Sequence, residues 1–204
     1  MEKRKLLIAL GITGLLLAPL QSCTVLKTNN LETTLTEYNG MARYALRQSN
    51  KENVILINKS KYTLDVLANR KIIKEYSIEL GFNPLDDKKM EGDGRTPEGI
   101  YAASLKLSPG NTSYHKAIRI NYPTTEDSLK FSKKKKNGII PKYANIGGLI
   151  EIHGTGSGEK GNDTGSNWTL GCIALSNKDM DTLYESVHVG TPIVIVKDTN
   201  VGYK

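Results

Sequence analysis

The chain contains little cysteine and little histidine. Among its 204 residues there are two cysteines and three histidines. Cys23 closes an apolar N-terminal segment and Cys172 lies far along the chain, so Cys172 has no obvious disulfide partner. The histidines are scattered, and neither an H-x-x-x-H nor a Cys-x-x-Cys spacing occurs. This argues against a zinc site, and we predict a protein without a bound metal or cofactor.

The chain also lacks an apolar run long enough to cross a bilayer comfortably. Such a span needs about 20 apolar residues, whereas the run that follows three basic residues extends only from Leu6 to Leu17. A basic start, a short apolar centre and the ending Leu20-Gln21-Ser22-Cys23 are the plan of a secretory signal. The ending resembles a bacterial lipobox, so we predict that residues 1–22 are removed and that Cys23 carries a lipid. The alternative is an ordinary signal peptide, with Cys23 left as a free thiol or removed; in either case the mature domain is extracytoplasmic.

Acidic residues are fewer than basic ones, and the formal charge is +7. Without residues 1–22, which carry three basic residues and one acidic residue, the charge is +5. A mildly basic chain suits an anionic partner such as cell-wall polymer or lipid headgroups, and export argues against nucleic acid. The densest charge run is Lys133-Lys134-Lys135-Lys136. We predict a solvated loop there, with a binding patch as the alternative.

The mature chain is the size of one domain with a short leader. Residues 23–53 are predicted to be a tether followed by one short helix, because apolar residues recur at helical spacing. These residues are Leu31, Leu35, Tyr38, Ala42, Ala45 and Leu46. Residues 54–204 then form the domain.

Short β-type runs separated by Gly, Pro, Asn and Asp dominate residues 54–204. The predicted strands are Val54–Ile57, Thr63–Leu67, Ile72–Leu80, Gly99–Leu105, Lys116–Tyr122, Gly148–His153 and Pro192–Lys197. One good helix is predicted over Lys178–Val187, with Ser176 or Asn177 as its N-cap. The pattern predicts a mainly β fold, a sandwich or barrel with a few short helices.

The segment Gly156-Ser157-Gly158-Glu159-Lys160-Gly161 matches the G-x-G-x-x-G spacing of dinucleotide-binding loops. That motif binds pyrophosphate only where it leaves a strand and opens a helix. Here it is followed by Asn162-Asp163-Thr164-Gly165-Ser166-Asn167, which is typical of a flexible loop. We therefore predict no nucleotide cofactor.

Cys172 and His153 are the residues with the clearest chemical potential. His153 ends a predicted strand, and Cys172 follows nineteen positions later in a turn, beyond the glycine-rich loop. A chain that leaves a sheet and returns beside its starting point can bring a thiol and an imidazole together. An imidazole can lower the pKa of a thiol by forming an ion pair and can later return the proton to a leaving amine. The alternative is a buried structural cysteine and a satisfied strand histidine.

Two separated segments resemble the L,D-transpeptidase catalytic domain family, also called YkuD. His153-Gly154-Thr155 followed by Thr169-Leu170-Gly171-Cys172 is similar to its active-site signature. Residues 91–101, with the sequence EGDGRTPEGIY, look like the turn and strand that precede this site. The resemblance covers roughly residues 54–196 and implies a β-rich fold closed around the cysteine.

The resemblance implies that Cys172 is the nucleophile, His153 the base and Gly154 the main-chain carbonyl that fixes the imidazole tautomer. N–H groups of the turn at Gly171 and Cys172 are the candidate oxyanion donors. The family substrates are peptidoglycan stem peptides: the thiolate attacks the carbonyl at the L-centre of a diamino acid, expels D-alanine and forms a thioester. An amine of a second stem then resolves the thioester in transpeptidation, and water resolves it in a carboxypeptidase or hydrolase.

The sequence departs from the family pattern at two positions. Leu170 stands where histidine is usual, and Ala174 where arginine or asparagine is usual. Both changes remove polar groups from the rim of the site and leave transfer and hydrolysis open as alternatives. A module that binds the cell wall without catalysis is a further alternative.

Four more residues are candidates for substrate binding: Arg95, Tyr114, Trp168 and Thr169. Arg95 suits a stem carboxylate, but a turn residue held by Asp93 or Glu98 is an equal alternative. Trp168 is either a groove wall or core. For His115 and His188 we predict structural roles, with a groove position as the alternative for His115.

Overall fold

The computed structural model describes residues 40–155 and 166–199. The predicted signal segment, Cys23 and the G-x-G-x-x-G segment lie outside the described residues. The strands are β1 (Val54–Asn58), β2 (Thr63–Ala68), β3 (Lys71–Ser77), β4 (Gly99–Leu107), β5 (Ala117–Ile120), β6 (Glu151–Gly154), β7 (Ile173–Leu175) and β8 (Pro192–Val196). The helices are α1 (Gly40–Gln48), α2 (Thr125–Lys136) and α3 (Asn177–Ser186). Within the described ranges, no helix is long and apolar enough to span a membrane.

The strands form one sheet in the order β3-β2-β1-β8-β4-β5-β6-β7. The sheet is mainly antiparallel, with parallel pairs at β1–β8 and β6–β7. Just beyond β3, Glu79 pairs with Ala174 of β7 through backbone hydrogen bonds of 2.9 and 2.8 Å. The two ends of the sheet therefore approach each other. The fold is mainly β and barrel-like, as the sequence predicts.

The main core lies on the inner face of this sheet. It includes Ile55, Ile57, Leu64, Tyr76, Ile118, Ile152, Ile193 and Ile195. On the outer face of β1 and β8, Leu56 and Val194 pack with Ala42 and Ala45 of α1. Strands β1 and β8 are thus buried on both faces, which explains why both are continuous apolar runs. Ala42 and Ala45 are buried, so helix α1 packs on this face of the sheet.

The lysine tract Lys133–Lys136 ends helix α2, so the prediction of a loop there is wrong. The helix contains no buried residue, and so its sequence lacks the apolar stripe by which helices are recognised. Its start is stabilised by a capping box between Thr124 and Asp127. The lysines lie in the last turn, where positive charge interacts favourably with the helix dipole.

The predicted C-terminal helix is confirmed as α3, with Ser176 as its N-cap. Ser176 accepts a hydrogen bond from the N–H of Asp179, and Met180 and Leu183 are buried. The short strand β7 was not predicted. Its three residues are too few to show a periodic pattern, and its parallel pairing with β6 depends on contacts that are distant in sequence.

Candidate active site

The parallel pairing of β6 and β7 brings the two predicted reactive residues to one edge of the fold. His153 in β6 lies opposite Ala174 in β7, and Ile152 lies opposite Ile173. Cys172 immediately precedes β7 and is therefore next to β6. The chain leaves the sheet after His153 and returns beside it, as the spacing predicts.

His153 is fully buried. Its Nδ1 lies 2.8 Å from the carbonyl oxygen of Gly154. A carbonyl only accepts, so Nδ1 carries the proton and Nε2 holds the lone pair. No described residue bonds to the buried Nε2. Burial lowers the pKa of His153 to about 4, more than the Gly154 carbonyl raises it, so the imidazole is neutral at neutral pH.

The imidazole of His153 is enclosed by two aromatic rings. Tyr114 stacks on it with ring centroids 3.6 Å apart and an interplanar angle of 12°. Trp168 meets it edge-to-face at 5.7 Å and 70°. Both residues were predicted as substrate-binding residues, and the structure places both directly against the histidine. Burial, and then the charge of a Cys172 thiolate, raise the pKa of the Tyr114 hydroxyl.

Cys172 is half-buried, and its Sγ makes a long hydrogen bond of 3.6 Å to the carbonyl oxygen of Leu149. Burial raises the pKa of its thiol, and the nearby Glu151 carboxylate raises it further. The Glu151 N–H and the positive charges of Lys88 and Arg119 oppose this shift without reversing it. The resting pair is therefore a neutral thiol and a neutral imidazole, in place of the ion pair expected from the sequence.

Gly171 lies in a turn that holds the cysteine in place. Its N–H donates to Thr169 Oγ1 at 3.1 Å, and that hydroxyl donates to the carbonyl of Cys172 at 2.7 Å. The φ of Gly171 is 126°, and a Cβ there would lie 2.5 Å from the carbonyl oxygen of Arg95. Glycine is required here by the close approach of the Arg95 segment. Because the Gly171 N–H is engaged by Thr169, Cys172 is left as the predicted oxyanion donor.

Two acidic residues bind Arg95 and hold its turn in place. The Arg95 Nη2 lies 3.1 Å from Asp86 Oδ2, and the Arg95 backbone N–H donates to Asp93 Oδ1 at 3.1 Å. These contacts favour the alternative in which Arg95 is a structural residue of the turn held by Asp93, and they add Asp86 as a second partner. The carbonyl of Arg95 nevertheless contacts the Gly171 turn and so adjoins the site.

His115 lies at a salt-bridge cluster on the side of α3. Its Nε2 is 2.8 Å from Asp181 Oδ1, to which Lys116 also binds at 2.8 Å. Its Cβ would contact a Cβ placed on Gly154, at 3.2 Å. These contacts favour the predicted structural role.

Three features of the site were not predicted from the sequence. The Leu149 carbonyl binds the thiol, Glu151 forms an ion pair with Arg119 at 2.8 Å, and Glu79 Oε2 accepts a 2.6 Å hydrogen bond from the Trp168 indole. The only sequence signal for Glu79 is an acidic residue between the apolar Ile78 and Leu80.

Exposed leucines flank the thiol. Leu149 is 68% and Leu170 is 69% exposed. Leu170 occupies the position where the family pattern has histidine. The rim of the site is therefore apolar at two positions beside Cys172.

The sequence matches the family described as the L,D-transpeptidase catalytic domain, YkuD, over residues 52–195. The chain belongs to this family. The resemblance that the two motifs suggested is confirmed over most of the chain.

Two curated relatives are similar to the chain at the same level of identity. YafK of Escherichia coli strain K12 is 26% identical over 137 residues, which are 65% of this chain and 46% of YafK. YqjB of Bacillus subtilis strain 168 is 26% identical over 149 residues, which are 71% of each protein. The names of both assign them to the L,D-transpeptidases. The chain spans about half the length of the Escherichia coli relative.

Solved structures share the fold. The helical cell shape determining protein Pgp2 of Campylobacter jejuni, as its K307A mutant, aligns with a TM-score of 0.53 and 25% identity, over 76% of this chain and 51% of Pgp2. Bd1075 of Bdellovibrio bacteriovorus aligns with a TM-score of 0.52 and 24% identity, over 83% of this chain and 54% of Bd1075. The alignment with Bd1075 shows the fold alone.

Proposed function

We propose that the protein is a peptidoglycan L,D-transpeptidase that works by Cys-His acyl transfer. The observation that carries this proposal is the pairing of β6 with β7, which sets Cys172 next to the strand of His153, a buried imidazole whose Nδ1 is bound to the Gly154 carbonyl at 2.8 Å. This contact leaves Nε2 as the base. Family membership supplies the substrate class, the stem peptides of peptidoglycan.

The reaction begins from the neutral pair. The thiol leaves the Leu149 carbonyl and turns toward Nε2 of His153. As Sγ attacks the carbonyl at the L-centre of the stem diamino acid, its proton passes to Nε2. The Gly154 carbonyl stabilises the resulting imidazolium by accepting from Nδ1–H, as a carboxylate does in other triads. The N–H of Cys172 faces the developing oxyanion.

Collapse of the tetrahedral intermediate breaks the bond to D-alanine. Nε2 returns its proton to the leaving amine, and a thioester remains on Cys172. An amine of a second stem then attacks the thioester, gives its proton to His153 and forms the new amide. The thiol is restored when His153 returns that proton to sulfur.

Hydrolysis of stems or of peptidoglycan-protein links is the second candidate. The observation that favours it is the apolar rim, where Leu149 and Leu170 offer no side-chain group to bind an ammonium acceptor. Water needs no such site. A contribution to cell shape fits either reaction, since the similar protein Pgp2 is described as determining helical cell shape.

The proposed setting is the bacterial envelope, with the protein tethered to a membrane by lipid on Cys23. The signal pattern of residues 1–23 supports this setting.

Incubation of the purified full chain with tetrapeptide muropeptides, followed by mass spectrometry of the products, tests the proposed function. A Cys172→Ala variant is the matched control. Cross-linked dimers that depend on Cys172 establish transfer, and shortened stems without dimers establish hydrolysis. If neither product forms while the chain still binds sacculi, the protein is a wall-binding module and the catalytic proposal is wrong.

A further inference from the structure

Glu79 is a buried carboxylate that contacts the aromatic surroundings of His153. It is 7% exposed, and its Oε2 accepts from the Trp168 indole N–H at 2.6 Å. Trp168 in turn meets the His153 ring edge-to-face. The carboxylate is therefore one residue removed from the proposed base.

The backbone of Glu79 also supports the histidine. It exchanges two hydrogen bonds with Ala174, the residue that lies directly opposite His153 in the β6–β7 pair. Its side chain and its backbone thus both reach a neighbour of His153. A change at Glu79 is expected to affect the imidazole through Trp168 more than through the main-chain bridge, which any residue can form.

The segment that carries Trp168 is bound to the segment that carries Glu79. The N–H of Leu80 donates to Asn167 Oδ1 at 3.0 Å, and the N–H of Thr169 donates to the carbonyl of Leu80 at 3.2 Å. Phe82 continues the pairing by donating to the carbonyl of Thr169 at 3.2 Å. These bonds hold the residues on either side of Trp168, whose side chain contacts both Glu79 and His153.

The charge of Glu79 has a chemical consequence during acylation. His153 becomes an imidazolium in a buried site, where desolvation disfavours the cation. The Tyr114 ring stacks face-to-face on the imidazole at 3.6 Å, a distance at which an aromatic face stabilises a cation. The negative charge of Glu79, held at the Trp168 indole N–H, also favours a cation nearby. Tyr114 and Trp168 together surround the imidazole, and Glu79 bonds the indole.

We propose that Glu79 is a positioning residue which, through Trp168, holds the His153 imidazole in place and favours its cationic form during acylation. This inference rests on the proposed function. It adds a buried acidic residue to the cysteine, the histidine and the Gly154 carbonyl.

The test measures the rate at which a carbapenem acylates Cys172, by intact-protein mass spectrometry of the full chain over a range of pH. All proteins carry Cys23→Ser, which makes Cys172 the only cysteine. Glu79→Gln keeps an oxygen that accepts from Trp168 but removes the charge. We expect acylation to be slower by about three- to tenfold, because the variant keeps both aromatic rings and loses only the charge of Glu79. The acid limb of the pH profile should move to lower pH, because the imidazolium loses stabilisation.

A double-mutant cycle shows whether Glu79 acts through Trp168. Trp168→Phe retains an aromatic ring but cannot donate to Glu79, so Glu79→Gln should have no further effect in that background. Glu75→Gln is the control, because Glu75 is an exposed carboxylate of β3 and should leave the rate unchanged.

Each outcome decides one question. Equal rates for the parent protein and Glu79→Gln, or the same loss with and without Trp168, overturn the role of Glu79 and leave the proposed function standing. A parent protein whose Cys172 is not acylated contradicts the proposed function itself.

Discussion

The protonation states of individual residues at the site are determined by burial more than by pairing of opposite charges. Burial lowers the pKa of His153 to about 4 and raises the pKa of the Cys172 thiol. The thiol bonds to Leu149, and Nε2 of His153 accepts no bond from the described residues. Both groups are therefore neutral in the resting site, and the proposed proton transfer from the thiol to the imidazole would accompany attack on a substrate carbonyl.

This neutral pair predicts the pH dependence of Cys172 alkylation. A thiol with a raised pKa forms thiolate only above its ordinary value of about 8.5. In the Cys23→Ser protein, the rate of iodoacetamide alkylation should therefore rise steadily above neutral pH. His153→Ala should show the same profile, because a neutral imidazole does not stabilise the thiolate.

A preformed ion pair gives a different alkylation profile. It would produce a reactive plateau between about pH 5 and 8 that disappears in His153→Ala. Observation of that plateau would show that the resting site is charged and that the account of its burial is wrong.

At the scale of elements, strand β2 contains a residue that opposes folding at neutral pH. Asp65 is 5% exposed, and its Oδ1 has no hydrogen-bond partner among the described residues. It lies opposite Glu75 of β3. Burial, followed by the charge of Glu75, raises the pKa of Asp65 from 3.8 to about 6.

The sign of the effect follows from this raised pKa. The folded state holds the Asp65 proton more tightly than the unfolded state does. The contribution of Asp65 to the free energy of unfolding is therefore most favourable below pH 4. It falls as pH rises through about 6. At pH 7.5 the charged Asp65 costs about 3 kcal/mol. Asp65→Asn should therefore increase the free energy of unfolding in urea at pH 7.5 and have a much smaller effect at pH 4.5.

The matched control for Asp65→Asn is Glu75→Gln. This variant should give a smaller gain in the free energy of unfolding, because it removes only the secondary cause of the raised Asp65 pKa. An equal effect of Asp65→Asn at both pH values would show that Asp65 does not titrate in this range. The effect would then belong to packing alone.

Strands and helices could be predicted where their burial leaves a pattern of apolar residues in the sequence. The seven predicted strands all occur, because β1 and β8 are continuous apolar runs and the others are bounded by turn residues. Helix α2 was missed because it buries no residue, and its half-buried face carries Asp127, Lys134 and Lys135 beside a single Phe131, so that no apolar stripe appears. Strand β7 was missed because three residues form a strand here only through their pairing with β6.

At the scale of the whole molecule, the site exists because the sheet brings distant segments together. Strand β6 supplies His153, the turn before β7 supplies Cys172, and the segment after β3 supplies Glu79. The motif spacing was enough to predict the first two. Glu79 was not predictable, since its contact with Trp168 spans 89 positions of the chain.

The same closure explains which glycines the fold requires near the site. A Cβ on Gly81 would lie 2.1 Å from the Gly94 carbonyl oxygen, and one on Gly171 would lie 2.5 Å from that of Arg95. The segment of residues 91–101, which resembles the family before the active-site motif, is thus packed directly on the Cys172 turn. This packing gives the segment a structural role beside the site.

The most direct test of the central claim is to trap the covalent intermediate. The full chain with Cys23→Ser is mixed with a tetrapeptide stem, quenched in acid and analysed by intact-protein mass spectrometry with peptide mapping. We predict an adduct on Cys172 equal in mass to the stem without its terminal alanine, and no adduct on Cys172→Ala. Products that form without any adduct, or an adduct that persists in Cys172→Ala, would contradict acyl transfer through Cys172.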